Sequence, residues 1–597
     1  MNDYAHFIIP FTAGVAALFA VILYKYLRWF WRMPEGDKKR FWKGIFTRKT
    51  WDAIGEVISE SLLHRRIFRI NPLLGYMHAS LAFGWFLLIV VGWIETTLHL
   101  QGAFAPLHTH IFFKYFFPEA GGGLFPFIMD LLLLFVLSGV ALAWFKRMRA
   151  RALGMRRTTK HTAGDRIALA ALWCIFPARL LAESATSAIH HNGSFLTGSV
   201  GKAMAAAMQP GTLAAIEPLW WWCYSIALAL FFITMPFSRY MHIFTEIPLI
   251  FMRRYGIGSD PSAKSFDHFQ IEACSRCGIC IDPCQLQHAA GICDVQSVYF
   301  LRDRRYHRLE QRTTDNCLMC GRCEAKCPVG IELNTLRLNS RADYYNAPED
   351  NRYDYLPPLD RSTGEGRTGY FAGCMTLLTP RIIQSMERIF ASAGEPVWWA
   401  DRDGGVCCGR PLKLSGEVDA AERMVEYNRT LFKKHGITTL VTSCPICFKI
   451  FREDYNLQGI EVLHHSQYIK RLIDGGRIAV KATEKRYDYH DPCELGRGSG
   501  IYDEPRAVIA SVGGLLEADE NREEGLCCGS GLANTAIDDD GQTRIGRAVA
   551  ERFAATEAEA VVTACPLCKK SIARAATQPV YDLAEVVAGA LTIKGER

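Results

Sequence analysis

Eight cysteines fall in two runs of one spacing: Cys274-x-x-Cys277-x-x-Cys280-x-x-x-Cys284, then Cys317-x-x-Cys320-x-x-Cys323-x-x-x-Cys327 followed by Pro328. So many thiols at such short intervals constrain the chain to wrap around something that thiolates bind. Three cysteines at two-residue gaps hold one 4Fe–4S cubane, and the fourth of the run ligates the other cluster. Cys274, Cys277 and Cys280 then share a cluster with Cys327, while Cys317, Cys320 and Cys323 share one with Cys284. Cys-x-x-Cys also serves zinc, but two complete runs in tandem favour clusters. Gln285 stands where the first run should be followed by proline. Cys293 lies outside both runs and reads as a buried thiol.

The flanking chain divides at this stretch. A length of 597 residues is too much for one domain, and 49% of them are hydrophobic. Five apolar stretches approach the roughly 20 residues that cross a bilayer: Phe7–Leu27, Leu74–Thr96, Phe125–Phe145, Ile167–Ile189 and Leu219–Phe237. The fourth is interrupted by Pro177, Arg179 and Glu183. No small-residue cleavage site follows the first, which reads as an anchor. Basic residues crowd the first and third connections (Arg28 to Arg66, and Lys146 to Lys160), whereas the second and fourth have essentially Lys114 and Lys202. The bias predicts an N-terminus outside and everything after the fifth stretch in the cytoplasm, at the inner membrane. The net charge of +7 is thus topology, and no basic stretch interleaved with aromatics points to nucleic acid. Twenty-one cysteines in ligand-like spacings, downstream of a membrane region, fit a reducing compartment rather than a disulfide framework.

Beyond Tyr370 the sequence repeats itself. Gly373-Cys374 answers to Pro492-Cys493, Cys407-Cys408-Gly409 to Cys527-Cys528-Gly529, and Cys444-Pro-Ile-Cys447 to Cys565-Pro-Leu-Cys568, at offsets of 119, 120 and 121 residues. Thr439–Thr442 and Ala560–Thr563 read as short buried strands, and Ala420–Lys434 and Thr543–Ala555 as helices. That alternation predicts two α/β units in a pseudo-symmetric pair. Five cysteines with a vicinal pair fit one zinc tetrahedron poorly.

These motifs resemble the paired CCG motifs of the heterodisulfide reductase catalytic subunit family. The resemblance implies that Cys374, Cys407, Cys408, Cys444 and Cys447, and likewise Cys493, Cys527, Cys528, Cys565 and Cys568, hold one or two non-cubane 4Fe–4S clusters and carry the catalysis. The stretch from Pro236 through His242 to Arg253-Arg254-Tyr255, with His78 in Tyr76-Met-His-Ala, is similar to the nitrate reductase gamma subunit, a five-helix cytochrome b. In that family each helix supplies two histidines. Here eighteen residues back from His242 stands Tyr224, and ten on from His78 stands Leu88, so the likeness implies one haem b, on His78 and His242. His99, His108, His110, His190 and His191 are candidates for a second haem or a quinone site. Arg179 and Glu183, four apart, can pair with each other or mark a quinone or proton path.

The expected architecture is a multidomain membrane protein: a five-helix transmembrane cytochrome b bundle (1–255), an α-helical dicluster ferredoxin (256–345), a linker (346–369) and a duplicated α/β CCG domain (370–480 and 481–597). Single chains joining such parts resemble membrane oxidoreductases that pass electrons from electron-transfer flavoprotein to menaquinone. The alternative is a thiol–disulfide oxidoreductase with a thiol/disulfide carrier as partner, and a third reading is an iron–sulfur subunit of a lactate- or glycolate-type flavoenzyme. No Gly-x-Gly-x-x-Gly fingerprint follows a strand, so neither flavin nor nicotinamide is expected in this chain.

Overall fold

The computed structural model describes residues 6–102, 104–120, 123–149, 159–258, 265–345, 360–404, 407–531 and 536–592. Most of the expected linker, and Arg151, Arg156 and Arg157 of the third connection, lie outside the described residues. The chain forms two compact units, one of residues 1–282 with 327–331, the other of 283–326 with 332–597.

Among the described residues of the first unit, five helices are long and apolar enough to cross a membrane: Ile8–Trp31, Pro72–His99, Leu124–Met148, Ala163–His190 and Pro210–Phe237, the last turn of the fifth being 3-10. Asn71 opens the second by accepting from the Leu74 N–H at 3.0 Å, ahead of Pro72 at the first helical position. A Thr162–Asp165 capping box opens the fourth. That helix, the least apolar by sequence, runs unbroken through Pro177 and is buried along much of its length. Its charges are neutralised inside: Arg179 Nε donates to Glu183 Oε1 at 2.7 Å, and Lys114 Nζ lies 3.6 Å from Glu183 Oε2. Arg179 and Glu183 do pair, with Lys114 as a third member. Lys114 also donates to Thr197 Oγ1, which donates to buried Asp130. Glu183→Gln leaves two buried cations without the carboxylate between them. A loss of about 3–5 kcal/mol is expected, read as a lower heat-denaturation midpoint in detergent.

The fifth helix does not carry His242. It gives way to the 3-10 turns Met235–Phe237 and Arg239–Met241, and His242 begins a separate helix, His242–Arg254. Pro236 lacks the amide hydrogen needed to continue the ladder, and Ser238 reverses the chain in extended conformation, its Oγ accepting from the Tyr240 N–H. Glu56, in the short helix Arg48–Glu56, draws in Arg66, Arg253 and Arg254. Arg66 and Arg253 in turn donate to the carbonyls of Pro328, Val329 and Gly330. This ion-pair knot fastens the segment carrying Cys327 within the first unit.

The second unit contains two four-stranded parallel sheets of identical order. In chain order the strands are β1 (Thr368–Phe371), β2 (Val397–Trp399), β3 (Thr439–Thr442), β4 (Glu461–His464), β5 (Arg486–His490), β6 (Gly514–Leu516), β7 (Ala560–Thr563) and β8 (Val580–Asp582). The sheets run β2-β1-β3-β4 and β6-β5-β7-β8, with Tyr370 opposite Val441 in one and Tyr489 opposite Val562 in the other. Helices cross over between strands, as parallel pairing requires. One hydrophobic core runs through both halves, joining Tyr370, Met386, Ile389, Val441 and Ile469 to Tyr489, Ile509, Val562 and Val587. His465 Nε2 and Asp582 Oδ1, both fully buried, meet at 3.2 Å across that core. The duplicated α/β expectation is the fold observed, and β3 and β7 have the predicted bounds.

Candidate iron–sulfur and haem sites

The cysteine loops sit at the carboxyl ends of the parallel strands, where open α/β folds place their ligands. In the first half Cys374 follows β1, Cys407 and Cys408 lie in the loop after β2, and Cys444 and Cys447 follow β3 at the start of the helix Pro445–Glu453. The Cys408 thiol is close enough to those of Cys407 and Cys447 to interact with them, and Cys447 likewise with Cys444. Gly373 (φ +82°) allows the first loop to close: a Cβ there would lie 3.0 Å from Cys447 Sγ. The glycine after each vicinal pair is also left-handed, at +84° for Gly409 and +86° for Gly529, and a Cβ on Gly529 would press on Ile545 at 2.9 Å. Asn428 and Tyr455 donate to the carbonyls of Cys407 and Cys408, each at 3.0 Å.

Asp401 holds the Cys374 loop. Its carboxylate accepts from the N–H groups of Ala372 (2.9 Å) and Gly373 (2.7 Å) and from Trp399 Nε1 (3.2 Å). Burial pushes its pKa up to about 6, against the pull of these donors. In Asp401→Asn the amide nitrogen cannot accept, so one backbone N–H loses its partner, at a cost of about 1–3 kcal/mol. Faster iron loss from the first-half site under chelation is the expected readout, with the second-half iron unaffected.

The second half repeats the arrangement. Cys568 Sγ lies 3.3 Å from Cys528 Sγ, and Cys565 and Cys568, and Cys527 with Cys493 and Cys528, are close enough for their thiols to interact. His490 lies close enough to Cys528 for their charges to interact, at the position Phe371 takes in the first half. The halves differ in access and in neighbours. A small cleft opens on Cys493, Cys527, Cys528, Cys565 and Cys568, with apolar walls from both halves and from Leu318 and Met319. Glu494 is the charged residue on its lining, and it pairs with buried Arg410 at 3.2 Å. Cys320 of the second ferredoxin run packs against the same core cluster as Cys527, close enough for the two thiols to interact.

The ferredoxin thiols divide between the two units. Cys274, Cys277, Cys280 and Cys327 belong to the first unit; Cys284, Cys317, Cys320 and Cys323 belong to the second. Burial, then the charges of Cys277 and Cys274, push the Cys327 thiol up to about 12; burial, then Cys320 and Cys317, do the same for Cys284. Thiols so crowded and buried ionise when a cation takes the proton's place, which suits a thiolate-bound cluster. Cys293, expected buried, is half-exposed in a turn, its Sγ 3.7 Å from the Gly291 carbonyl. Its neighbours Ala290 and Val295 take the places in the hydrophobic core instead. Among the described residues no three Cys, His, Asp or Glu side chains close around a single-ion site, so the donor sets rest on loops and spacing.

In the first unit a cavity open to solvent is lined by His78 and His242, by two histidines that sequence reasoning passed over, His64 and His161, and by Cys277. Trp85, Trp173, Phe231 and Tyr240 form apolar walls, and Lys146, Arg147, Arg239 and Arg276 add positive charge. His242 Nδ1 lies 2.7 Å from the Arg239 carbonyl and His64 Nδ1 3.0 Å from that of Leu62. A carbonyl only accepts, so Nδ1 carries the proton in both rings and Nε2 keeps the lone pair a metal needs. His78 Nε2 is buried without a hydrogen-bond partner, and its ring stacks on His64 at 5.6 Å. Burial, then Arg239 and Arg147, holds His161 down to about 3. Donor type, orphaned imidazole nitrogen, apolar walls and basic rim all fit a haem with carboxylate side groups. His64 precedes a basic helix and His161 a capping box; neither stands in a motif that would single it out.

The outer histidines sit elsewhere. His99 ends the second helix against Phe113 and Phe117, His108 and His110 lie in Leu107–Ile111, and His190 and His191 close the fourth helix. Tyr224 and Leu88, at the positions of the missing haem pair, are buried.

Paired strand-end cysteine loops joined to a dicluster thiol module define an iron–sulfur oxidoreductase. Known proteins agree. The cysteine-rich CCG domain family matches residues 368–452 and 487–573, and the 4Fe-4S dicluster domain matches 273–332. One chain of the dihydromethanophenazine:CoB–CoM heterodisulfide reductase of Methanosarcina barkeri is 27% identical over 54% of this chain and 94% of its own length. EtfAB:quinone oxidoreductase of Syntrophomonas wolfei is 22% identical over 88% of this chain and 89% of its own. FadF, a probable iron-sulfur-binding oxidoreductase of Bacillus subtilis, is 24% identical over 56% of this chain and 50% of its own. The chain is a heterodisulfide reductase-like iron–sulfur oxidoreductase with CCG domains, resembling EtfAB:quinone oxidoreductase.

Proposed function

We propose that the chain passes electrons from a cytoplasmic electron-transfer flavoprotein to the menaquinone pool of the inner membrane. The observation that carries this reading is Cys277 on the wall of the cavity that also presents His78 and His242. Cys277 of the first ferredoxin run and two imidazoles that would hold a haem border one space, so a haem b bound there would supply one-electron chemistry beside the iron–sulfur set. Iron–sulfur clusters and haem supply one-electron chemistry; the residues fix spacing and potential. Cys444 and Cys565 interact electrostatically, linking the two cysteine-rich sites, and Cys527 with Cys320 continues the path. Cys280 to Cys284 and Cys323 to Cys327 then tie the two cubane sets together along the chain. Arg239 at the cavity rim would hold an acidic haem side group, and neutral His161 accepts from Arg239 at 3.3 Å; Arg276 is already paired with buried Asp165.

The second reading, a thiol–disulfide oxidoreductase, draws on the apolar cleft at the second-half cysteines, which suits a small sulfur substrate. The test is haem reduction in membranes containing the protein, with reduced electron-transfer flavoprotein or a dithiol as donor. Fast reduction by the flavoprotein, reversed by a menaquinone analogue, is the expected result. Reduction by the dithiol alone would transfer the assignment to the second reading.

A further inference from the structure

Where the ferredoxin spacing calls for proline, Gln285 occupies a buried position against the second cysteine-rich half. Its side-chain amide makes two hydrogen bonds to one residue: Nε2 donates to the Cys527 carbonyl at 2.9 Å, and Oε1 accepts from the Cys527 N–H at 2.7 Å. Proline could make neither. An amide offers donor and acceptor side by side, as a peptide group does, and so can hold a residue's backbone by both of its polar groups. The converse contact comes from the other module. Arg497, four residues after Cys493, donates from Nε to the Cys320 carbonyl at 2.6 Å and from Nη1 to the Gly525 carbonyl at 2.7 Å. Gly321, left-handed at φ +74°, shapes the loop on which Cys320 sits. Cys320 packs against the core cluster that holds Cys527, close enough for the two thiols to interact. Each therefore has its backbone held by a side chain from the other's module.

We propose that Gln285 and Arg497 form a reciprocal clamp that sets the electron junction between the second cysteine-rich site and the cubane set of Cys284, Cys317, Cys320 and Cys323. One electron crosses at a time; no bond forms or breaks at either cysteine, and no proton moves. Both are positioning residues, acting through the cysteines they hold. The proposal rests on the reading that electrons leave the cysteine-rich domain toward the membrane, and it adds the place where they leave: the second half.

The test uses the full-length protein in detergent, reduced by dithionite, with wild type, Gln285→Ala and Arg497→Lys compared. Lysine keeps the charge near Cys320 but loses the two-pronged donation. The expected result is unchanged iron and acid-labile sulfide, a weaker spin–spin interaction between the two sites in electron paramagnetic resonance, and electron exchange between them slowed about tenfold, as for other residues that orient metal ligands. Either variant that keeps its iron decides. Wild-type coupling in that variant, or loss of iron from both variants, overturns the proposal. Because dithionite supplies the electrons, failure of electron-transfer flavoprotein as donor would sink the functional reading and leave this test standing.

Discussion

Replacing His242 with alanine is expected to remove haem b from the purified chain, from one per polypeptide to none, while the iron–sulfur absorption stays. The side chain is set up for this role alone among its neighbours on the His242–Arg254 helix. Its Nδ1 is committed to the Arg239 carbonyl, which leaves Nε2 as the coordinating nitrogen. His78→Ala should give the same loss, because its buried Nε2 has no other hydrogen-bond partner to satisfy it. His64→Ala is the control: it removes the ring stacked on His78 and should leave the haem count near one, with a shifted spectrum. Pyridine haemochrome analysis reads all three. Unchanged haem in His242→Ala would refute the assignment, and two haems in the wild type would bring the outer histidines in as ligands.

Cys528→Ser is expected to lower electron delivery from the cytoplasmic donor to the haem by at least about 100-fold, the upper end of what disturbed metal sites show. Cys408→Ser, its counterpart in the first half, should cost about tenfold or less. The difference follows from geometry. The second half borders the cleft and interacts with Cys320 through Cys527, so losing its site removes both the entrance and the exit. Stopped-flow haem reduction with iron content measured in parallel separates a lost site from a lost path. Equal losses in the two variants would mean that electrons enter through the first half.

Much of this was legible in the chain because the signals are local. Sustained hydrophobicity identified all five apolar helices to within a few residues at most ends. Four-residue runs flanked by cysteine loops gave β3 and β7 with their bounds, since a strand buried on both faces must be apolar throughout. The separate helix carrying His242 was missed because its mixed polar and apolar residues, Thr245, Glu246, Arg253 and Arg254 among them, carry no sustained apolar signal, and Pro236 and Ser238 turn the chain just before it. Cys293 was misjudged because hydrophobic neighbours along the chain need not surround a residue in space. His64 and His161 were invisible: each is a lone histidine until the cavity gathers four together.

Short segments of the chain dictate which donor atoms are present and at what intervals: two cubane spacings, two five-cysteine repeats, and imidazoles near helix ends. Ligand type and reach within such a segment set its chemistry, and neither depends on the rest of the fold. Which of these sets meet is a matter of folding in three dimensions. Cys527 lies in one core cluster with Cys320 packed against it, Cys277 shares a wall with His78 and His242, and Gln285 answers Cys527 rather than its neighbours in the chain. Each of these contacts joins residues far apart in sequence, and burial of the cores beneath them, not any local preference, holds them in place.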